Sequence, residues 1–196
     1  MTVLAAVAAH GQARPSADTT RRVHSIKDSP GYVPLVDPES TSVRLGRRLN
    51  APLVGKPFRG GARSFEDLGR RVCRALHREQ PDSLWALCIT EDEFRDILWR
   101  EFPESRPVTG IEWQESWMFL YARLRKGCRS AVLDFGGQPL TFVRFEPLKP
   151  RRFRNFTLYE GLAFVARDSE GKEQRYTWLR AIAERKGVFK IYSTQD

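Results

Sequence analysis

Apolar positions recur at a helical spacing from Ser64 to Asp134 and at a spacing of two beyond Gln138, so the chain predicts helices first and strands afterwards. Ser64 is a favourable N-cap with Asp67 three residues on, and Phe65, Leu68, Val72, Ala75 and Leu76 place one apolar stripe on a helix reaching about Arg78. Pro81-Asp82-Ser83 restarts the chain into the apolar turn Leu84 to Ile89. Thr90 and Glu93 then have the spacing of a capping box for a second helix, which carries Phe94, Ile97 and Leu98 and ends at Pro103. A long third helix is expected from about Ile111 to Asp134. Its stripe is Trp113, Trp117, Leu120, Tyr121, Leu124, Cys128 and Ala131, and Gly136-Gly137 terminates it.

Four strands are expected after it. Leu140–Glu146 is followed by a basic connection, Lys149-Pro150-Arg151-Arg152, and then by the long run Phe153–Arg167 with Gly161 where a bulge or sharp bend falls. Asp168 to Gly171 is a hairpin loop, Lys172–Ala183 the third strand, Arg185-Lys186-Gly187 a turn, and Val188–Ser193 the last strand. Helices followed by an antiparallel meander make the fold α+β and argue against a parallel doubly wound sheet.

The first third of the chain follows neither period. From Arg14 to Arg63 six prolines break each apolar run, so this stretch reads as a leader or wrapping segment, with Tyr32–Val36 and Leu49–Val54 as short apolar pieces able to dock on a neighbour. The domain boundary expected from the pattern lies between residues 63 and 64. The formal charge of +9 divides there into +6 on residues 1–63 and +3 on residues 64–196. The predominance of arginine, 26 against 7 lysines, follows from GC-rich coding as readily as from selection for an acidic partner.

Residues 1–13 contain a seven-residue apolar run, Val3–Ala9, with small residues after it and no basic residue before it. This is either an Ala-rich start or a truncated signal peptide, and it leaves the location open between the cytoplasm and export to the periplasm. No run approaches the roughly 18 apolar residues of a spanning helix. Cys73, Cys88 and Cys128 have no metal-ligand or redox spacing and read as core residues, with one disulfide open to the chain if it is exported.

Element order, the aromatic third helix and the long bent strand Asn155 to Val165 resemble the cone-shaped NTF2-like superfamily, also called SnoaL-like or cystatin-like, and in particular uncharacterised bacterial members of it. The resemblance covers Ser64 to Tyr192. It implies three N-terminal helices packed in a strongly bent antiparallel sheet of about four strands, a ligand pocket at the open end of the cone, and homodimerisation through the convex sheet face. Enzymatic relatives such as ketosteroid isomerases and polyketide cyclases place a carboxylate with tyrosine, histidine or a second acid in that pocket. No motif in this chain selects between enzyme and binding module.

His10 and His24 lie in the leader and His77 ends the first helix among arginines, so histidine catalysis is not expected and no Ser-His-Asp or Cys-His pair has a workable spacing. An enzyme would work with carboxylates and phenols. Glu115, Asp134 and Glu160 are the acid candidates, and Trp113, Trp117, Tyr121, Tyr159 and Trp178 are candidates to line a pocket. Each competes with a plain reading, Glu115 as a solvated position and the aromatics as core. Arg123, Arg125, Lys126 and Arg129 complement the dipole of the third helix. The basic stretches Arg44–Arg48 and Arg151–Arg154 are short and belong to no nucleic-acid-binding module, and neither Gly60-Gly61 nor Gly136-Gly137 forms a phosphate loop. No cofactor or metal motif stands out. The expected function is non-catalytic: an NTF2-like module that binds a small apolar molecule or a protein. The alternatives are a SnoaL-like lyase, isomerase or hydrolase acting on a small apolar substrate, and weak polyanion binding by the basic leader.

Overall fold

The computed structural model describes Pro30 and residues 37–146 and 149–195. The Ala-rich start, His10, His24 and the apolar piece Tyr32–Val36 lie outside these residues. One compact unit runs from Asp37 to Asp196. Within it the α-helices are α1 (Thr41–Leu45), α2 (Phe65–His77), α3 (Pro81–Trp85), α4 (Glu91–Glu93) and α5 (Trp113–Phe135). None of the described helices is long and apolar enough to cross a membrane.

The helix starts follow from local chemistry. Ser64 Oγ accepts from the Asp67 amide at 3.0 Å, and Glu66 and Asp67 complement the N-terminal dipole of α2. Leu68, Val72 and Leu76 are fully buried on its inner face. At α4 the capping box forms: Thr90 Oγ1 accepts from the Glu93 amide at 3.4 Å while Glu93 Oε2 accepts from the Thr90 amide at 2.9 Å. This helix does not continue as α. It widens into a π-helical turn, Phe94–Leu98, and then breaks into 3₁₀ turns at Trp99–Glu101, Pro103–Ser105 and Pro107–Thr109, the last two opening on proline.

The fold is α+β with antiparallel sheets, but seven described strands in two sheets replace the single sheet of about four. They are β1 (Thr141–Glu146), β2 (Lys149–Arg152), β3 (Thr157–Glu160), β4 (Ala163–Arg167), β5 (Glu173–Tyr176), β6 (Leu179–Arg185) and β7 (Val188–Thr194), ordered β1-β4-β5 and β2-β3-β6-β7. Each long strand expected from the period is cut in two. Gly161, at φ 67°, separates β3 from β4, and Thr177-Trp178 separates β5 from β6. Since β4 pairs with β5 and β3 with β6, one long hairpin crosses from one sheet to the other at these breaks. A glycine in the left-handed region lets the strand turn sharply at this point. The basic connection at Lys149 is itself the edge strand β2, where Pro150 is tolerated because an edge position need not donate outward.

α2 packs against β1, and α5 against β7. Phe65 joins the layers: its ring lies 5.9 Å from Phe145 of β1, 4.8 Å from Tyr159 of β3 and 4.6 Å from Phe189 of β7. Gly127 lets α5 approach β7, since a Cβ at that position would collide with the Thr194 side chain.

Residues 37–63 belong to the compact unit rather than to a leader without a fold. Ala51, Phe58 and Ala62 are buried, and Ala62 pairs with Phe189 beside β7. Side chains of the domain hold this strap by its backbone. Arg185 donates to the carbonyls of Val54 and Lys56 as well as to that of Asn155. Asn155 accepts from the Val54 amide at 2.8 Å and donates to the Pro52 carbonyl at 2.8 Å, and Glu93 accepts from the Arg59 amide at 2.7 Å. Prolines suppress periodicity but leave carbonyls free to accept, so the strap docks without an apolar stripe. The charge partition moves with the boundary: residues 37–196 carry 29 basic and 22 acidic side chains, a net +7.

Candidate functional site

A cleft of about 670 Å³ opens between the C-terminal half of α5 and the β5–β6 corner. Ser130, Ala131, Asp134 and Phe135 of α5 form one wall, with Gln138 beyond it. Gln174, Arg175 and Tyr176 of β5, then Thr177 and Trp178, form the other, and Asp168 and Gln195 close the ends. Phe135 and Tyr176 meet edge to face at 4.9 Å. The corner is fixed by Gln195, whose amide donates to the Trp178 carbonyl at 2.6 Å. Trp178 is 7% exposed, and its Nε1–H meets no acceptor among the described residues.

The cleft therefore joins a few aromatic faces to neutral polar groups and three charged ones, Asp134, Asp168 and Arg175, the last paired with Glu146 at 3.2 Å. The Asp168 carboxyl is held below the usual carboxylate range, because it accepts from the amides of Lys172 and Glu170 at 3.0 Å each. That makes it an acceptor rather than a proton donor. Asp134 is exposed at the rim.

Of the residues singled out from the sequence, Trp178 and Asp134 meet in this cleft and the others stand elsewhere. Trp117 lies 5.6 Å from Phe94 and 6.0 Å from Tyr121, which in turn meets Trp85 at 5.3 Å, while Trp113 stacks under Arg95. These rings tie α5 to the helical layer. Tyr159 packs on Phe65, where burial raises its phenol. Glu115 is solvated on the outer side of α5. Glu160 borders a second cavity of about 370 Å³ with Arg151, Glu104 and Tyr192, and its carboxylate faces Arg151 at 3.5 Å. Burial raises the Tyr192 phenol there.

The reading of the chain placed Glu93 in a cap but not in the buried polar network that it joins. Lys190, 1% exposed, donates to Glu93 at 2.7 Å, so one carboxylate serves the cap, the strap and an ion pair. Glu101 is fully buried and accepts from the amides of Arg154 and Asn155. The signal was present in β7, where Lys190 interrupts Val188, Phe189 and Ile191. The thiols of Cys88 and Cys128 are free, buried and 3.8 Å apart, and burial pushes that of Cys73 up to about 12. No group of three metal-ligating side chains occurs among the described residues.

No family model matches this chain. No curated protein and no solved structure matches it either.

Proposed function

We propose that the chain is an NTF2-like domain that binds a small, polar, uncharged molecule with one flat apolar face in the cleft between α5 and the β5–β6 corner, without acid–base chemistry on it. The family reading is supported by the long hairpin broken at Gly161 and by α5 lying against β7. The observation that carries the binding reading is the composition of the cleft. Its volume suits a small ligand, and Phe135, Tyr176 and Trp178 offer ring faces beside Gln138, Gln174, Gln195, Thr177 and Ser130. Its two carboxylates are an exposed one and one held ionised, whereas proton transfer near neutral pH needs a carboxyl shielded from water with a raised pKa. A thermal-shift screen of neutral sugars and nucleosides tests the reading. Ligands should raise the melting temperature of the native chain and lose that effect in Ser130→Trp, which fills the cleft. The absence of any hit, or hits that persist in the filled variant, would refute it.

One observation favours polyanion binding as a second reading. The two short basic stretches come together: Arg47 donates to the Arg152 carbonyl at 2.6 Å and Arg151 to that of Gly46. Arg44, Lys149, Arg152 and Arg154 are exposed around them. Such a cluster predicts heparin retention that falls steeply with salt. Elution of Arg44→Glu/Arg152→Glu at the same salt as the native chain would end this reading.

A further inference from the structure

Helix α5 has a second stripe that its own domain does not use. The inner side turns Trp117, Leu120, Leu124, Cys128 and Ala131 into the core. On the opposite side, alternating by three and four residues, stand Glu115, Phe119, Ala122, Lys126 and Arg129, with Glu112 at the N-cap before them, all exposed. Phe119 is 70% exposed, Met118 beside it 60%, and Leu133, the next position in the series, 85%. A merely solvated face would not carry three large apolar side chains this exposed, two of them adjacent. Acids before bases along a helix also suit its dipole, but the dipole does not account for Phe119 and Met118.

The order acid, apolar, base reads as its own complement when reversed. We propose that this stripe is a homodimer seam in which two copies of α5 pack antiparallel about a two-fold axis at the level of Leu120 and Tyr121. That register sets Phe119 against the partner's Ala122, Glu115 against the partner's Lys126, and Glu112 against the partner's Arg129. A parallel pair would oppose like charges at both ends, so the charge order selects the antiparallel arrangement. Self-complementarity is also what names a second copy as the occupant, because a two-fold interface must match the same patch to itself. Among the described residues none of Glu112, Glu115, Lys126 and Arg129 has an ion-pair partner within the chain, so all four are available across the seam. From Glu115 to Leu133 the stripe spans about 27 Å at the rise of an α-helix. The small Ala122 opposite Phe119 gives the ring a recess, as a knob entering a hole does. The seam lies on the helix, away from the convex sheet face through which dimers are expected in the resembling family.

Sedimentation velocity on the full chain over a range of concentration and salt tests the assignment. The native chain should reach a dimer that weakens as salt rises. Lys126→Glu should weaken it at least about tenfold by opposing two acids. The exchange Glu115→Lys/Lys126→Glu should restore it, and Phe119→Asp should leave monomer. All these positions are solvent-facing, so far-ultraviolet circular dichroism should be unchanged and loss of folding would not mimic the result. A native chain that stays monomeric overturns the proposal and leaves the stripe to a different occupant. So does a dimer indifferent to Phe119→Asp, or an exchange variant no tighter than Lys126→Glu alone.

Discussion

Arg185 supplies one guanidinium to three backbone carbonyls, and burial lowers its affinity for its proton relative to an ordinary arginine. Arg185→Met keeps the stem and removes the donors, so it should lower stability by about 3 kcal/mol in urea denaturation, with the carbonyls of Val54, Lys56 and Asn155 left to find water. The Glu93–Lys190 pair makes a sharper case. Lys190→Met leaves a carboxylate buried beside its cap and should cost about 3–5 kcal/mol, whereas Glu93→Gln/Lys190→Met should recover most of that loss, and equal losses in the two variants would refute the ion-pair account. Acid acts on a different set. The Arg95 guanidinium, helped by Lys56, holds Asp96 well below the usual carboxylate range, and Arg48 lowers Glu39. A depressed folded pKa gives stability that is present above the unfolded value and lost as pH falls toward the folded one. Melting temperature should therefore drop from about pH 5 downward, and Asp96→Asn should flatten that slope.

At the scale of elements, two glycines set how layers meet. Gly161→Val imposes a β-branched side chain at a positive φ and should cost about 1–2 kcal/mol, although nothing lies within 4 Å of its would-be Cβ. Gly127→Ala has the opposite cause: the backbone accepts it, but the methyl meets Thr194, and prising α5 from β7 should cost about 1–3 kcal/mol in a thermal melt. Which elements the sequence made legible follows from how local their determinants are. The caps at Ser64 and Thr90 are settled within four residues, and both form as read. The bend at Gly161 was also visible, but not that it transfers the chain to another sheet, since the pairing of β3 with β6 and of β4 with β5 is decided by partners farther along. β2 was hidden by Pro150 and its arginines, which describe an edge strand as well as a loop. In the cleft, Trp178 and Asp134 could be picked out by type. The glutamines that complete it could not, because Gln138, Gln174 and Gln195 look like any solvated position until the corner brings them together.

For the whole molecule, the domain boundary decides what folds. A fragment beginning at residue 64 lacks the strap, and it strands the Arg185, Asn155 and Glu93 groups that hold residues 52–59, together with the backbone of Phe189. It should unfold at markedly lower urea than a fragment beginning at residue 37, and equal midpoints would show the strap to be an ornament. The same boundary changes the reading of charge: a net +7 sits on the compact unit, the excess that remains after each acid is set against a base, as Glu146 and Glu173 are against Arg144. The strap also bears on how the molecule is made. Arg185 reaches the carbonyls of Lys56 and Val54 across 129 and 131 residues of chain. Residues 51–62 leave the ribosome early, yet the strands that fasten them are translated last, a delay on the order of ten seconds at ordinary synthesis rates. During that interval the strap has only the Glu93 and Asp96 carboxylates within reach, and neither Arg185, Asn155 nor β7. It becomes the final piece of the domain to lock, and a nascent chain stalled before β6 would expose it to chaperones and proteases.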